Sequence, residues 1–338
     1  MNALDLLREL VAISGPPGQE TPVRQALERH VERLGLAHRA DAKGNLLVGS
    51  ERPRIVVTAH MDEIAMIVRR IEPDGTLAVG PLGGLFPWKL GEGPVQILTD
   101  PPFVGALSFG SIHTADEASN VRQADHSTVD WEMARVITGY DGATLTKAGV
   151  RPGTRVVIHP SRRTVTPVGL LIGSYFLDDR ADLVSWLLAL AEIGSMEDVL
   201  FAATAAEEVG GEGALFLLQE HRPEVCIALE LGPNAPDAPV ELTDQPTVWA
   251  TDSYSTMSAA DGDLVASVGE RLGMELQFQA LSRGGSDASC AASHGLCARP
   301  ITLGLPMENS HGYELMHPGA MEELARLTAA LIRELAPK

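Results

Sequence analysis

The 338-residue chain reads as an α/β protein, a doubly wound mixed sheet flanked by helices and interrupted by an inserted β domain. Three observations predict this. Apolar runs such as RIVVTA (54–59), VLFAAT (199–204) and EVCIALEL (224–231) have the length of buried strands and end at polar or glycine-rich loops. From about 71 to 167 the texture changes: TLAVG, PVQIL, FVGALSF and TRVVIHP alternate with Gly and Pro turns, without long helical periodicity. With 45% hydrophobic residues the chain can fill two cores, so the reading assigns 1–70 and 168–338 to the α/β part and 71–167 to the insertion.

The elements follow in order. MNALDLLRELVAISG forms an amphipathic helix, and Asp5, Arg8 and Glu9 within its apolar spacing distinguish it from a signal peptide. Ser14-Gly15-Pro16-Pro17-Gly18 is a turn, after which Thr21 is expected to cap a helix with Pro22 in its first turn and Val23, Leu27, His30, Val31 and Leu34 on one face. Lys43-Gly44-Asn45 is a hairpin turn, and the strand over 54–59 ends at His60-Met61-Asp62. Inside the insertion, the polar stretch 114–131 reads as a mobile loop, and His113 before it as a turn histidine or a site residue. The α/β texture returns with a strand at Val168–Gly173, then Asp178-Asp179-Arg180 and a helix carrying Leu183, Trp186, Leu187 and Leu190. The strand 199–204 delivers Glu207 and Glu208 into a glycine-rich turn, and 224–231 carries Glu230 near its end. A helix over 261–272, a strand over 275–281, the turn Arg283–Asp287 with a helix behind it, a strand over 299–303 leading to His311, and a helix over 318–335 complete the chain.

Composition removes several functions. The balance of 26 basic against 45 acidic residues, a formal charge of −19, argues against nucleic acid or an anionic membrane as partner. No apolar run approaches the length that spans a bilayer. Cys226, Cys290 and Cys297 form neither CxxC spacing nor an even set, which suits a reducing cytoplasm. HExxH, the phosphate-loop pattern and GxSxG are absent, and GGSDA at 284–288 lacks the final glycine of a nucleophile elbow.

What remains is a set of dispersed ligating residues. Adjacent Glu207 and Glu208 repel unless a cation or a shared proton compensates them, and Glu230 in so apolar a strand needs a partner. His60, Asp178, Glu208, Glu230 and His311 all fall at inferred strand or loop ends of one sheet, the edge where open α/β folds bind ligands. Two imidazoles and three carboxylates suit a pair of zinc or similar divalent ions, one carboxylate bridging and a water or hydroxide between them. Glu207 is then left as the base that takes a proton from that water, and Asp62 can hold His60.

The ordered motifs TAHMDE, LDDRAD, AAEEVGGEGA, ALELG, GGSDA and NSHGYE resemble the family-42 metallopeptidases, the tetrahedral (TET), deblocking or glutamyl aminopeptidases of the dinuclear metal aminopeptidase superfamily. The resemblance spans nearly the whole chain and implies a zinc-exopeptidase-like fold with a β-barrel-like insertion used in assembly, from a dimer up to a tetrahedral dodecamer. It implies two divalent ions per subunit, zinc first with cobalt or manganese as alternatives, and peptide substrates cut at the N-terminus. By analogy Asp178 bridges, His60 and Glu230 complete one metal, Glu208 and His311 the other, Glu207 is the general base and Asp62 stands behind His60. The chain departs from the family in two places: Glu230 replaces the usual aspartate, and HGYE replaces HSPxE. Because related deacylases and carboxypeptidases accept glutamate there, an amidohydrolase acting on N-acyl amino acids or C-terminal residues is the alternative, and a non-catalytic binding protein of the same fold is a third.

Overall fold

The computed structural model describes residues 2–124 and 126–336. They form two compact units, Met1–Glu63 with Thr164–Lys338, and Ile64–Arg163.

The first unit opens with α1 (Ala3–Ala12), which buries Leu6, Leu7, Leu10 and Val11 at helical spacing and is capped by the Asn2 side chain accepting from Asp5 N. In α2 (Thr21–Arg33) the N-cap position belongs to Glu20 and not to Thr21, which is already helical. The Glu20 carboxylate caps nothing, because it turns back to accept from Gly18 N at 2.7 Å. Strands β1 (His38–Ala40) and β2 (Leu46–Gly49) form the hairpin expected around Lys43-Gly44-Asn45. β3 (Ile55–His60) is buried along its whole length.

The second unit comprises β4 (Ala65–Ile71), β5 (Leu77–Leu82), α3 (Pro87–Leu90), β6 (Gly93–Ile97), β7 (Phe103–Ser108), α4 (Asn120–Ala124), β8 (Arg135–Ile137), α5 (Gly142–Lys147) and β9 (Arg155–Ile158). Its strands close into an antiparallel barrel in the order β4-β5-β8-β7-β6-β9. β4 lies in the stretch the sequence reading left with the α/β part, because no Gly or Pro separates it from His60. The stretch 114–131, expected to be a loop throughout, contains α4, while Asp125 lies outside the described residues.

The chain re-enters the first unit with β10 (Thr166–Val168), β11 (Leu171–Tyr175), α6 (Leu177–Ile193), β12 (Val199–Thr204), α7 (Glu212–His221), β13 (Val225–Pro233) and β14 (Thr247–Thr251). It ends with α8 (Ala259–Leu272), β15 (Gln277–Ala280), α9 (Asp287–Ser293), β16 (Arg299–Glu308), β17 (Tyr313–Met316) and α10 (Ala320–Leu335). VGLLIG, expected as one strand, is instead a hairpin: Gly169 at φ 63° makes the turn with Leu170, and β10 pairs back on β11.

The large sheet runs β1-β2-β12-β3-β13-β16-β17-β11-β10, with β14 beside β16 and β15 beside β14. At its centre β12, β3, β13 and β16 are parallel and almost wholly buried, which is why they read as continuous apolar runs and not as alternating ones. Thr204 pairs with His60 and Glu230 with Gly304, so the carboxyl ends of these strands come level at one edge. Helices α1 and α10 pack on α6, whose Trp186 is fully buried and donates its indole N–H to Val57 O at 3.3 Å. Among the described residues no helix is long and apolar enough to cross a membrane.

Candidate metal centre

His60 is the last residue of β3, 2% exposed, and its backbone N–H donates to Asp179 Oδ2 at 2.6 Å. Asp178 stands two residues after Phe176, whose left-handed φ of 63° turns the chain between β11 and α6, and Asp178 and Asp179 keep non-helical dihedrals at the head of the helix. The Asp178–Asp179 peptide is cis. Asp178 Oδ1 lies 3.1 Å from His60 Nε2 and Asp178 Oδ2 lies 3.4 Å from His311 Nε2. Glu208 Oε2 lies 3.7 Å from the same His311 nitrogen. Glu230 is inside β13, which continues past it to Pro233, and is 6% exposed. Candidate ligand atoms thus fall into two groups, His60 with Asp178, Asp179 and Glu230, and Asp178 with Glu208 and His311, each within 4.8 Å of one another.

These separations have a chemical meaning. Ligand atoms at 2.0–2.2 Å from a common tetrahedral ion stand roughly 3.4 Å apart, and the distances of 3.1, 3.4 and 3.7 Å straddle that value. Glu208 Oε1 is buried without a hydrogen-bond partner among the described residues. The donor set of imidazole and carboxylate is the borderline-hard mixture that divalent zinc, cobalt and manganese accept. The residues present therefore fit divalent metal ions.

Neighbouring groups hold the candidate ligands in place. Glu314, 1% exposed, accepts from Asp178 N at 3.1 Å and from His311 N at 2.9 Å, bracketing both backbones with one carboxylate. Arg180 is fully buried, pairs with the equally buried Glu63 at 2.7 Å, and donates to the carbonyl of Met61. The Asp62 carboxylate lies 3.5 Å from His60 Nδ1, and its backbone carbonyl is nearer, 3.2 Å from the same atom. Its carboxylate also accepts from Glu207 N at 2.9 Å and Glu208 N at 3.1 Å, which ties the two-glutamate loop to the His60 loop. Asp287 accepts from Thr204 Oγ1 at 2.6 Å. Phe176, Ala206 and His311 all hold left-handed φ values (63°, 55° and 59°), conformations that disfavour a side chain by on the order of 1 kcal/mol or more each. Strain on this scale persists where the surrounding contacts over-determine the backbone.

Sequence reading did not find Arg180, Glu63, Glu314 or Asp287. Each stands inside a quoted motif, and Glu314 lies in β17, where it and Met316 are buried and alternate with half-buried residues, so no continuous apolar run marks it as Glu230 is marked. His113 lies in the second unit, exposed, with its N–H on Ser111 Oγ, and belongs to neither ligand group.

The charge balance of the ion-free chain points the same way. Burial, with the charges of Asp178 and Asp62, pushes Glu208 up to about 7. Burial likewise raises Asp182 to about 7 and Glu314 to about 8, and lifts Glu207 and Glu230 well above the usual carboxylate range. Asp178 is the exception: burial would raise it, but hydrogen bonds to His311 and His60 outweigh burial and hold it below its ordinary value. A carboxyl raised in the folded chain contributes stability that is complete below its unfolded pKa near 4 and is lost as pH rises through the folded value. For Glu208, Asp182 and Glu314 that window closes between about 7 and about 8. Asp178 has the opposite sign, and its contribution is lost only on acidification. The chelator-treated protein is therefore expected to lose melting temperature steadily from pH 5 to pH 8, and added zinc to abolish most of that slope. A melting temperature independent of pH after chelation would contradict this.

With this geometry in hand, the sequence profile of the M42 glutamyl aminopeptidase family matches residues 44–327. The chain belongs to the M42 family. It is thus an aminopeptidase of metallopeptidase type, a hydrolase acting on peptide bonds. Among M42 relatives, the lysyl aminopeptidase of Pyrococcus furiosus is 26% identical, covering 98% of this chain and 97% of that protein. The glutamyl aminopeptidase of Lactococcus lactis is 23% identical over 93% of this chain and 91% of its own. Among solved structures, the TET1 peptidase of Pyrococcus horikoshii superposes with a TM-score of 0.85 at 26% identity, covering 97% of this chain and 98% of its own.

Proposed function

We propose that this M42 chain is a two-metal aminopeptidase that removes N-terminal residues from peptides. The observation that carries the reading is Asp178, whose two oxygens each face a different histidine while every other candidate ligand faces one group only. His60 and Glu230 would share one ion with Asp178, and Glu208 and His311 the other. Divalent ions held there would supply Lewis acidity toward the scissile carbonyl and a water acidified to near-neutral pKa.

The remaining steps fall to side chains of this chain. Glu207 adjoins a ligand without belonging to either group, so it can accept the proton of the attacking water and return it to the leaving amine. Asp62 fixes where that carboxylate sits, through the backbone amides of Glu207 and Glu208. Zinc is the first candidate for the native ion, with cobalt and manganese compatible with the same donors. Three free, buried cysteines suit a cytoplasmic location.

Assembly belongs to the same proposal. The Pyrococcus horikoshii TET1 peptidase can assemble into a tetrahedron or a large octahedral shell. Here the barrel exposes Val104, Ile137 and Tyr140, apolar side chains of the kind a subunit contact would cover, and they support a homo-oligomer. Sedimentation at the mass of one chain would contradict it.

Glu230 favours one second reading, hydrolysis of N-acyl amino acids. A panel of aminoacyl and N-acetylated amides assayed with zinc, cobalt and manganese separates the two. The proposal expects turnover of free-amine substrates and little of the acetylated ones, and the reverse preference would replace it with the deacylase reading.

A further inference from the structure

The four consecutive backbone amides leading into the two-glutamate loop are each taken by a side-chain oxygen from elsewhere in the chain. Ala205 N donates to Asn45 Oδ1 at 2.9 Å, Ala206 N to Glu20 Oε1 at 3.2 Å, Glu207 N to Asp62 Oδ1 at 2.9 Å and Glu208 N to Asp62 Oδ2 at 3.1 Å. Asn45 and Asp62 are fully buried and Glu20 is 7% exposed. None of these acceptors is free to follow the loop. Asn45 is itself held by Asp41 Oδ2 at 2.7 Å and Gly213 O at 3.0 Å, and Glu20 Oε1 also accepts from Gly18 N at 2.7 Å.

We infer that Glu20 is a positioning residue for Glu207: through the Ala206 amide it keeps the loop in the conformation that presents the base. This rests on the reading of Glu207 as base. Ala206 is the one residue of the four with a left-handed backbone, at φ 55°, a conformation an alanine leaves unless something holds it. Relaxation there would rotate the peptide joining Ala206 to Glu207 and swing the next side chain. The turn Ser14–Gly18 thereby acquires a purpose, since Gly18 fixes the carboxylate that fixes Ala206. Reach of the acceptor is what matters in this arrangement, and not its charge.

Two substitutions separate reach from charge. Glu20→Gln keeps the length and the acceptor oxygen and loses the charge, whereas Glu20→Asp keeps the charge and withdraws the acceptor by one methylene. Glu20→Asp is expected to lower kcat on the order of 10- to 100-fold, the scale of a misplacement of about 1 Å, with KM and metal content unchanged. Glu20→Gln is expected to recover most of the rate. A second readout needs neither metal nor turnover: by hydrogen exchange of the chelator-treated protein, the peptide covering 205–208 should lose protection in Glu20→Asp and keep it in Glu20→Gln. Wild-type protection and rate in Glu20→Asp would overturn the inference, as would a Glu20→Gln protein as impaired as Glu20→Asp. The exchange result holds whether or not Glu207 is the base, which Glu207→Gln tests on its own.

Discussion

Glu207→Gln is expected to bind the metal load of the wild type and to turn over peptide substrates about 100- to 10,000-fold more slowly, the contribution of a positioned acid/base group. The substitution keeps the shape and the backbone amide held by Asp62 and removes only the ability to take a proton. Glu207 shares with Glu208 the same loop and the same acceptor, yet only Glu208 lies within ligand distance of His311 and Asp178. Metal analysis and steady-state kinetics on one preparation decide the matter. Near-normal turnover would exclude Glu207 as base, and loss of metal in parallel with rate would make it a ligand.

The second large effect is on stability. Arg180→Met removes the buried guanidinium paired with the Glu63 carboxylate and its donation to the Met61 carbonyl, both fully enclosed. Breaking a buried ion pair from one side costs about 3–5 kcal/mol, which for a domain of this size lowers the melting temperature by roughly 6–20 °C. Because that pair clamps the chain between His60 and Glu63, the variant is also expected to bind metal more weakly. The double variant Arg180→Met with Glu63→Leu removes both charges and should recover part of the lost stability, since replacing a whole buried pair by apolar groups is close to neutral. Thermal unfolding of the three proteins tests this, and a single variant as stable as the wild type would contradict the clamp.

How much of this was legible in the sequence depends on which force fixed each feature. The parallel centre was readable because strands buried on both faces must be apolar throughout, as in IVVTAH of β3 and VLFAAT of β12. The candidate ligands could be singled out because a carboxylate or imidazole at the end of such a strand is costly to bury without a partner; Glu230 stood out for that reason. The supports were not. Arg180 and Glu63 look like ordinary charges in sequence, and only the fold brings them together across 117 positions. Glu20 drew no reading from the sequence, and what makes it matter is an amide 186 positions away. Local boundaries failed where one backbone angle decided: Gly169 turned an apparent strand into a hairpin, and the missing Gly or Pro after His60 hid the start of the barrel.

In the proposed site Asp178 joins two ion positions that otherwise share no candidate ligand. The most direct measurement is the metal content per chain of zinc-loaded wild type, Glu230→Ala and Asp178→Ala after removal of free ion. Expected are two ions for the wild type, one strongly held ion for Glu230→Ala because the Asp178, Glu208 and His311 group is left intact, and loss of both for Asp178→Ala. Two ions retained in Asp178→Ala, or two in Glu230→Ala, would contradict the proposed site.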